Sequence, residues 1–217
     1  VKKKGCYIVV EGLEGAGKST VIQLIKNYLE TKVPSVLTTR EPGGTLVGEM
    51  VRRVMKDITS KEPLDHKSEL LLLYAARVQL VEQIIKPALS EGTWVVSDRS
   101  ELSSYAYQGG GRGIDKNVLD FLSQFCLGQF KPDLLFFLDI DPEQGLERTK
   151  IRGEADRMEL ESLDFFKKVH QAYHESIAGM SNVVKINSRE ALDTVQNNII
   201  AQLEKAFFQA CTLQPNQ

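Results

Sequence analysis

Along the chain, short runs that are apolar almost without a break alternate with longer stretches in which apolar residues recur at helical spacing. Residues 5–11 are nearly continuously apolar and rich in β-branched side chains, which predicts a strand covered on both faces. An amphipathic helix is expected over about 17–30, closed by Lys32-Val33-Pro34. A second strand at 36–40 ends where Pro42, Gly43 and Gly44 force a turn. The alternation then repeats, with a helix at about 46–55, a long helical segment at about 65–89 and a strand at 92–99. Residues 103–112 run into a glycine-rich loop at Gly109-Gly110-Gly111. Further on come a helix at about 115–126, a strand at 134–139 and a helix opened by Pro142, a residue favoured at that position. A helix at about 160–180, a strand at 183–187 and a helix at about 190–208 complete the pattern. Strands alternating with helices imply an α/β fold with a parallel sheet covered on both faces.

Two local patterns refine this picture. Arg52 and Arg53 are adjacent on one helix and point in different directions, so at most one should face a common ligand. The run Leu70-Leu71-Leu72-Leu73 is apolar all round, which marks a helix covered on more than one side, by the core or by a second subunit.

At 217 residues, with 42% hydrophobic and 26% charged, the chain suffices for one sizeable core. We expect a single domain over 1–208 and a flexible tail over 209–217. A net charge of -2 gives no case for a nucleic-acid or membrane surface, so neither partner is expected and phosphate recognition must come from local charge. Cys6, Cys126 and Cys211 are far apart and form no paired motif, which fits a reducing, cytoplasmic setting better than a disulfide framework or a zinc site. The apolar run after Lys2-Lys3-Lys4 ends at Glu11, too short for a signal peptide, and no stretch approaches the length of a membrane span.

The chemistry concentrates first at Gly12-Leu13-Glu14-Gly15-Ala16-Gly17-Lys18-Ser19-Thr20. This stretch fits the phosphate-binding pattern G-x-x-x-x-G-K-[ST] in its strand-then-helix context. The glycines let backbone N–H groups curl inward, and the following helix start adds partial positive charge. Lys18 would reach the β- and γ-phosphates of a nucleoside triphosphate, and the Ser19 hydroxyl would ligate Mg2+, with Asp98 as a second candidate ligand at the end of its strand.

Arginines recur where strand ends and loops should open toward that loop: Arg40, Arg52, Arg77, Arg99, Arg112, Arg148, Arg152 and Arg157. Triphosphate hydrolysis alone needs few of these, whereas holding a second phosphorylated substrate needs many. Phosphoryl transfer between two nucleotides is therefore the favoured chemistry. The accepting phosphate has a second pKa of about 6, so no general base is required and positioning with charge neutralisation suffices. Glu14, a carboxylate inside a phosphate loop, needs a donor such as a sugar hydroxyl or an arginine of the second site. His170 and His174 stand four apart on an expected helix, but with no third ligand in view they are read as a solvated face rather than a zinc site.

The phosphate loop together with Thr39-Arg40-Glu41-Pro42-Gly43-Gly44-Thr45, Tyr74-Ala75-Ala76-Arg77, Asp98-Arg99, Ala106-Tyr107-Gln108-Gly109-Gly110-Gly111-Arg112 and Arg152-Gly153-Glu154-Ala155-Asp156-Arg157 resembles the thymidylate kinase family over nearly the whole chain. The resemblance implies a P-loop NTPase-like three-layer fold with a five-stranded parallel sheet flanked by helices, Mg2+-dependent transfer from ATP to dTMP, and a homodimer. By position, Glu14 resembles the acid near the sugar 3′-hydroxyl, and Arg52 and Arg99 the ligands of the dTMP phosphate. Arg77 resembles the arginine that reads the thymine edge, with Ser104, Tyr107 and Gln108 lining the nucleoside pocket. The loop carries no arginine between Gly12 and Gly17, while a lid at about 148–158 offers Arg148, Arg152 and Arg157. This is similar to the bacterial branch with lid basic residues, and Arg152 is the choice for stabilising the transferring phosphoryl group, with Arg148 beside it on the ATP side.

Two positions depart from the family pattern. Leu73 stands where a phenylalanine usually stacks on thymine, which predicts weaker dTMP binding, and Ser100 stands where an aromatic or histidine commonly follows Asp-Arg. Leu73 also keeps a kinase for another nucleoside monophosphate in play as the nearest alternative. A nucleotide-binding regulatory module is the alternative from another class, disfavoured because it has no second phosphate for the arginine-rich lid to hold.

Overall fold

The computed structural model describes residues 4–60, 62–152 and 157–212, the side chains of 152 and 206–212 excepted. Its centre is a sheet of five parallel strands: β1 (Tyr7–Gly12), β2 (Val36–Arg40), β3 (Trp94–Asp98), β4 (Leu134–Asp139) and β5 (Val183–Asn187), in the order β2-β3-β1-β4-β5. The three middle strands carry Ile8, Val9, Val10, Val95, Val96, Phe136 and Phe137 without measurable exposure. That is why they read as unbroken apolar runs: helices cover both faces, so neither face can be polar. The edge strands β2 and β5 are only half-buried.

The helices are α1 (Lys18–Glu30), α2 (Leu46–Lys56), α3 (His66–Leu80), α4 (Lys86–Ser90), α5 (Glu101–Ser104), α6 (Lys116–Cys126), α7 (Pro142–Arg152), α8 (Leu163–Ile177) and α9 (Leu192–Thr212). Side chains fix several starts: Thr45 Oγ1 accepts from Gly48 N at 3.0 Å, Asp65 Oδ1 from Lys67 N at 2.9 Å and Ser162 Oγ from Phe165 N at 3.1 Å.

The expected helix at 65–89 is present but interrupted by a π-helical turn at Val81–Ile85 between α3 and α4. The expected glycine-rich loop is not a loop: Tyr105–Gly111 is a π-helical segment continuing α5. Its glycines serve close packing. A Cβ on Gly110 would lie 2.3 Å from the Ala172 side chain, and one on Gly111 would lie 2.4 Å from the Phe165 ring, so α8 presses directly on that backbone. The last helix runs to Thr212, into the segment expected as tail. No helix among the described residues is long and apolar enough to cross a membrane.

The register brings the chemistry to one edge. Val10 and Arg40 both pair with Asp98, and Gly12 pairs with Leu138. Arg99 N donates to Val10 O at 3.0 Å and Glu41 N to Asp98 O at 2.9 Å, so the residues that follow β1, β2 and β3 emerge together at the carboxyl ends of the strands.

Candidate active site

The phosphate loop leaves β1 at Gly12 and enters α1 at Lys18. Gly15 and Gly17 hold φ at 74° and 89°, left-handed values that glycine adopts without strain. A Cβ on Gly15 would also lie 2.2 Å from the Gly145 carbonyl oxygen, so the loop and α7 meet backbone to backbone. Leu13 and Ala16 turn into the core. Gly17 at the N-cap of α1 offers no side-chain cap to the N–H groups of the first turn, an arrangement able to take an anion. Lys18 Nζ donates to Gly12 O at 3.1 Å and Leu13 O at 2.9 Å, lying back along the loop. Burial, with the Arg99 guanidinium nearby, lowers its pKa from 10.5 to about 8.

In front of this loop opens a cavity of about 460 Å3 with Ser19, Thr20, Arg52, Asp98, Arg99 and Arg148 in its wall. Asp98 Oδ1 is buried there without a hydrogen-bond partner among the described residues. Arg148 Nη1 donates to Gly15 O and Ser188 O, each at 3.4 Å, which brings α7 over the loop and the end of β5. Arg52 Nη1 donates to Pro42 O at 3.2 Å, while Arg53 is exposed, as the differing directions of the two side chains require.

A second cavity, about 90 Å3, adjoins the first and is lined by Leu73, Arg77, Ser104, Tyr107, Gln108 and Glu41, among others. Arg77 is buried over the Tyr74 ring, 4.7 Å from its centroid. Its Nε donates to Glu41 Oε2 at 2.6 Å, and its Nη2 donates to Ser104 Oγ at 3.0 Å and Ser100 O at 3.3 Å. Burial opposes the charge, yet the Glu41 and Glu101 carboxylates raise the pKa of Arg77. Its Nη1 is buried with no acceptor among the described residues.

Arg99 belongs to both cavities. It is the only residue other than glycine with positive φ among the described residues, at 70°. Its Nη1 donates to Gly12 O, Ser103 Oγ and Tyr173 OH, each at 3.2 Å; its Nη2 donates to Glu14 Oε1 at 2.6 Å and Tyr107 OH at 3.2 Å. Tyr107 OH donates in turn to Glu14 Oε2 at 2.5 Å. Glu14 is therefore paired with an arginine of the second cavity rather than exposed at a loop tip. Such a network over-determines a strained backbone, which is how one persists.

The remaining arginines go elsewhere. Arg40 pairs at the surface with Glu49 at 2.9 Å. Arg112 and Arg157 both reach Glu69, at 3.3 Å and 2.7 Å, and Arg112 also pairs with Glu161 at 2.6 Å. Arg152 ends α7, and its side chain and residues 153–156 lie outside the described residues.

Three acids that sequence reasoning passed over organise the site. Glu11, fully buried, accepts from Ser100 N, Ser100 Oγ, Ser103 Oγ and Tyr173 OH at 2.7–2.9 Å. This explains Ser100: its hydroxyl caps α5 and its backbone ties β1 to Arg77. Glu41 holds Arg77 in place. Glu69, fully buried, also accepts from Gln108 Nε2 at 2.7 Å. Only Glu11 carries a local signal, an acid at the end of an apolar run; Glu41 and Glu69 each follow polar residues, and their need for donors follows from burial alone. His170 and His174 are not on a solvated face: both are half-buried and approach the Asp139 carboxylate.

A family model described as thymidylate kinase matches residues 10–199. A thymidylate kinase of Legionella pneumophila strain Corby is 52% identical over 201 residues, covering 93% of this chain and 95% of its own. Another from strain Paris is 51% identical with the same coverage.

Proposed function

The chain belongs to the thymidylate kinase family, and from that premise we propose that the two adjoining cavities hold ATP and dTMP, with their phosphates meeting at Arg99. The activity of such an enzyme is transfer of the γ-phosphoryl group of ATP to dTMP. A phosphate oxygen of dTMP attacks the γ-phosphorus, the bond to the bridging β–γ oxygen breaks, and dTDP and ADP leave. The observation that supports the assignment of cavities is the position of Arg99, which lines both and already holds a carboxylate, Glu14, at 2.6 Å. An incoming phosphate would take over the same guanidinium.

In this reading Gly12–Thr20 wraps the triphosphate, Lys18 turns from the loop carbonyls to the β- and γ-oxygens, and Arg148 borders the ATP side. Arg52 and Arg99 hold the dTMP phosphate, and Glu14, released from Arg99, takes the sugar hydroxyl. Arg77 Nη1 donates to a thymine carbonyl, with Leu73, Ser104, Tyr107 and Gln108 around the nucleoside. Arg152, four residues beyond Arg148 on the same helix, is assigned to the transferring group.

The residues present fit Mg2+: the orphaned Asp98 Oδ1 and the Ser19 hydroxyl are oxygen donors in one cavity wall, the set this ion prefers. When bound, it would neutralise charge on the β- and γ-oxygens.

Separate titrations with the two substrates test the assignment. Arg99→Ala is expected to raise the KM for dTMP at least tenfold with ATP affinity little changed, whereas Lys18→Ala lowers kcat at least a hundredfold. Equal loss of ATP affinity in both variants overturns it. Turnover with dTMP should also exceed that with dUMP, CMP, GMP and AMP.

A homodimer is the state we propose. Exposed apolar side chains on α2 (Leu46, Met50), α3 (Leu71) and α6 (Phe121, Phe125) support it, since α3 packs against both α2 and α6.

A further inference from the structure

Away from the nucleotide cavities, the carboxyl end of β4 and one face of α8 bring three metal-ligating groups together. His170 and His174, one helical turn apart, both direct Nε2 at the same oxygen, Asp139 Oδ1, at 2.7 Å and 3.2 Å. The two Nε2 atoms lie 3.2 Å from each other. Lys185 Nζ occupies the other carboxylate oxygen, Oδ2, at 2.9 Å, which fixes the carboxylate and leaves Oδ1 to the histidines. The Phe137 ring stands edge-on to His174, 5.4 Å between centroids, and limits how that ring can turn.

Hydrogen bonding alone satisfies this cluster poorly. For both imidazoles to donate to Oδ1, each must carry its proton on Nε2, which sets two N–H groups against each other across 3.2 Å. A cation at the centre removes the conflict, because both ring nitrogens and the carboxylate oxygen then present lone pairs to it. Zinc binds imidazole nitrogen and carboxylate oxygen at about 2.0–2.2 Å, usually with tetrahedral geometry. Three donor atoms with mutual separations of 2.7–3.2 Å lie close to that spacing. The three side chains keep 20–31% of their surface exposed, which gives the ion a path in and a fourth position for water.

We propose that Asp139, His170 and His174 form a transition-metal site, with Zn2+ as the occupant that suits two imidazoles and one carboxylate, tying α8 to the end of β4. Mg2+ is disfavoured by the nitrogen donors, so this site is chemically separate from the one assigned to Ser19 and Asp98. The tie reaches the substrate cleft through one residue: Tyr173, next to His174, hydrogen-bonds to Glu11 and Arg99.

The test is calorimetric titration of the metal-stripped, nucleotide-free full chain with Zn2+ alone, with and without excess Mg2+. The parent is expected to bind one Zn2+ with micromolar or tighter affinity that Mg2+ does not displace, and H170A/H174A to lose at least a hundredfold. At a hundredfold excess over Kd, Zn2+ should raise the parent's Tm by about 5–10 °C and leave that of the double variant unchanged. Equal binding by parent and variant, or no Zn2+ binding by the parent, overturns the proposal. Should the double variant fail to fold, Co2+ added to the parent decides: intense visible bands of four-coordinate cobalt support the site, and the weak spectrum of the hydrated ion overturns it.

Discussion

At the scale of single residues, Lys18 carries a prediction that its charge makes directly. Burial takes solvent from its ammonium, and the Arg99 guanidinium adds to the effect, so its pKa falls from 10.5 to about 8. Between these values the unfolded chain binds more protons than the fold, and the stability of the nucleotide-free chain rises with pH across that window. Bound triphosphate restores the proton, so ATP affinity is expected to fall above pH 8 by up to about tenfold per unit. Measuring the ATP Kd from pH 7 to 10 checks this, and Lys18→Arg, whose guanidinium stays charged, should flatten the curve even if it binds more weakly. Leu73 lies in the wall of the smaller cavity. Replacing it with phenylalanine should lower the KM for dTMP about fivefold, since base–aromatic stacking is worth about 1–3 kcal/mol and leucine already supplies part of it as apolar contact. An unchanged KM would show that the base does not stack at this position. Which of these residues were legible depended on motif. Lys18, Asp98 and Arg99 announce themselves by pattern, whereas Glu11, Glu41 and Glu69 acquire meaning only once burial forces each to find donors.

At the scale of elements, the buried Glu69 joins α3, the π-helical segment and the chain between α7 and α8, accepting from Gln108, Arg112 and Arg157. Burial pushes its carboxyl up, but these three donors outweigh it and hold its pKa below the ordinary glutamate range. The stabilisation is present at neutral pH and lost as pH falls through that lowered pKa. Glu69→Ala leaves two guanidinium groups without their shared acid, for which a cost of about 3–5 kcal/mol is expected. Thermal unfolding measures it, and because Gln108 lines the smaller cavity, the one proposed for dTMP, the KM for dTMP should rise more than that for ATP. A variant as stable as the parent would make the network incidental. The sheet and most helices were legible here because hydrophobic period and caps agree with the fold. Tyr105–Gly111 was not, since three consecutive glycines signal a loop locally, whereas the reason for them, the close approach of α8 to Gly110 and Gly111 and of Leu119 to Gly109, is a contact between distant elements.

At the scale of the whole molecule, the apolar run at Leu70–Leu73 shows what a single sequence leaves ambiguous. Leu70 is 2% exposed and Leu71 is 57% exposed, so the run faces inward and outward at once. The larger unpartnered apolar surface lies beside it, where Phe121 and Phe125 stack with 6.2 Å between centroids and are 68% and 78% exposed. Their positions four apart on α6 are readable as one face, but nothing in the pattern says whether core or partner covers it. Removing both rings tests the dimer without touching the core. Each buried phenylalanine contributes about 1.5–3 kcal/mol, so Phe121→Asp/Phe125→Asp should halve the mass seen by light scattering, from about twice 24.3 kDa to 24.3 kDa. Because α3 carries Leu73 and Arg77 as well as Leu71, separating the proposed subunits should loosen the cavity proposed for dTMP and raise the KM for dTMP more than that for ATP. A parent already at 24.3 kDa would dismiss the dimer, and a monomeric variant with unchanged dTMP kinetics would keep it while cutting its link to the site.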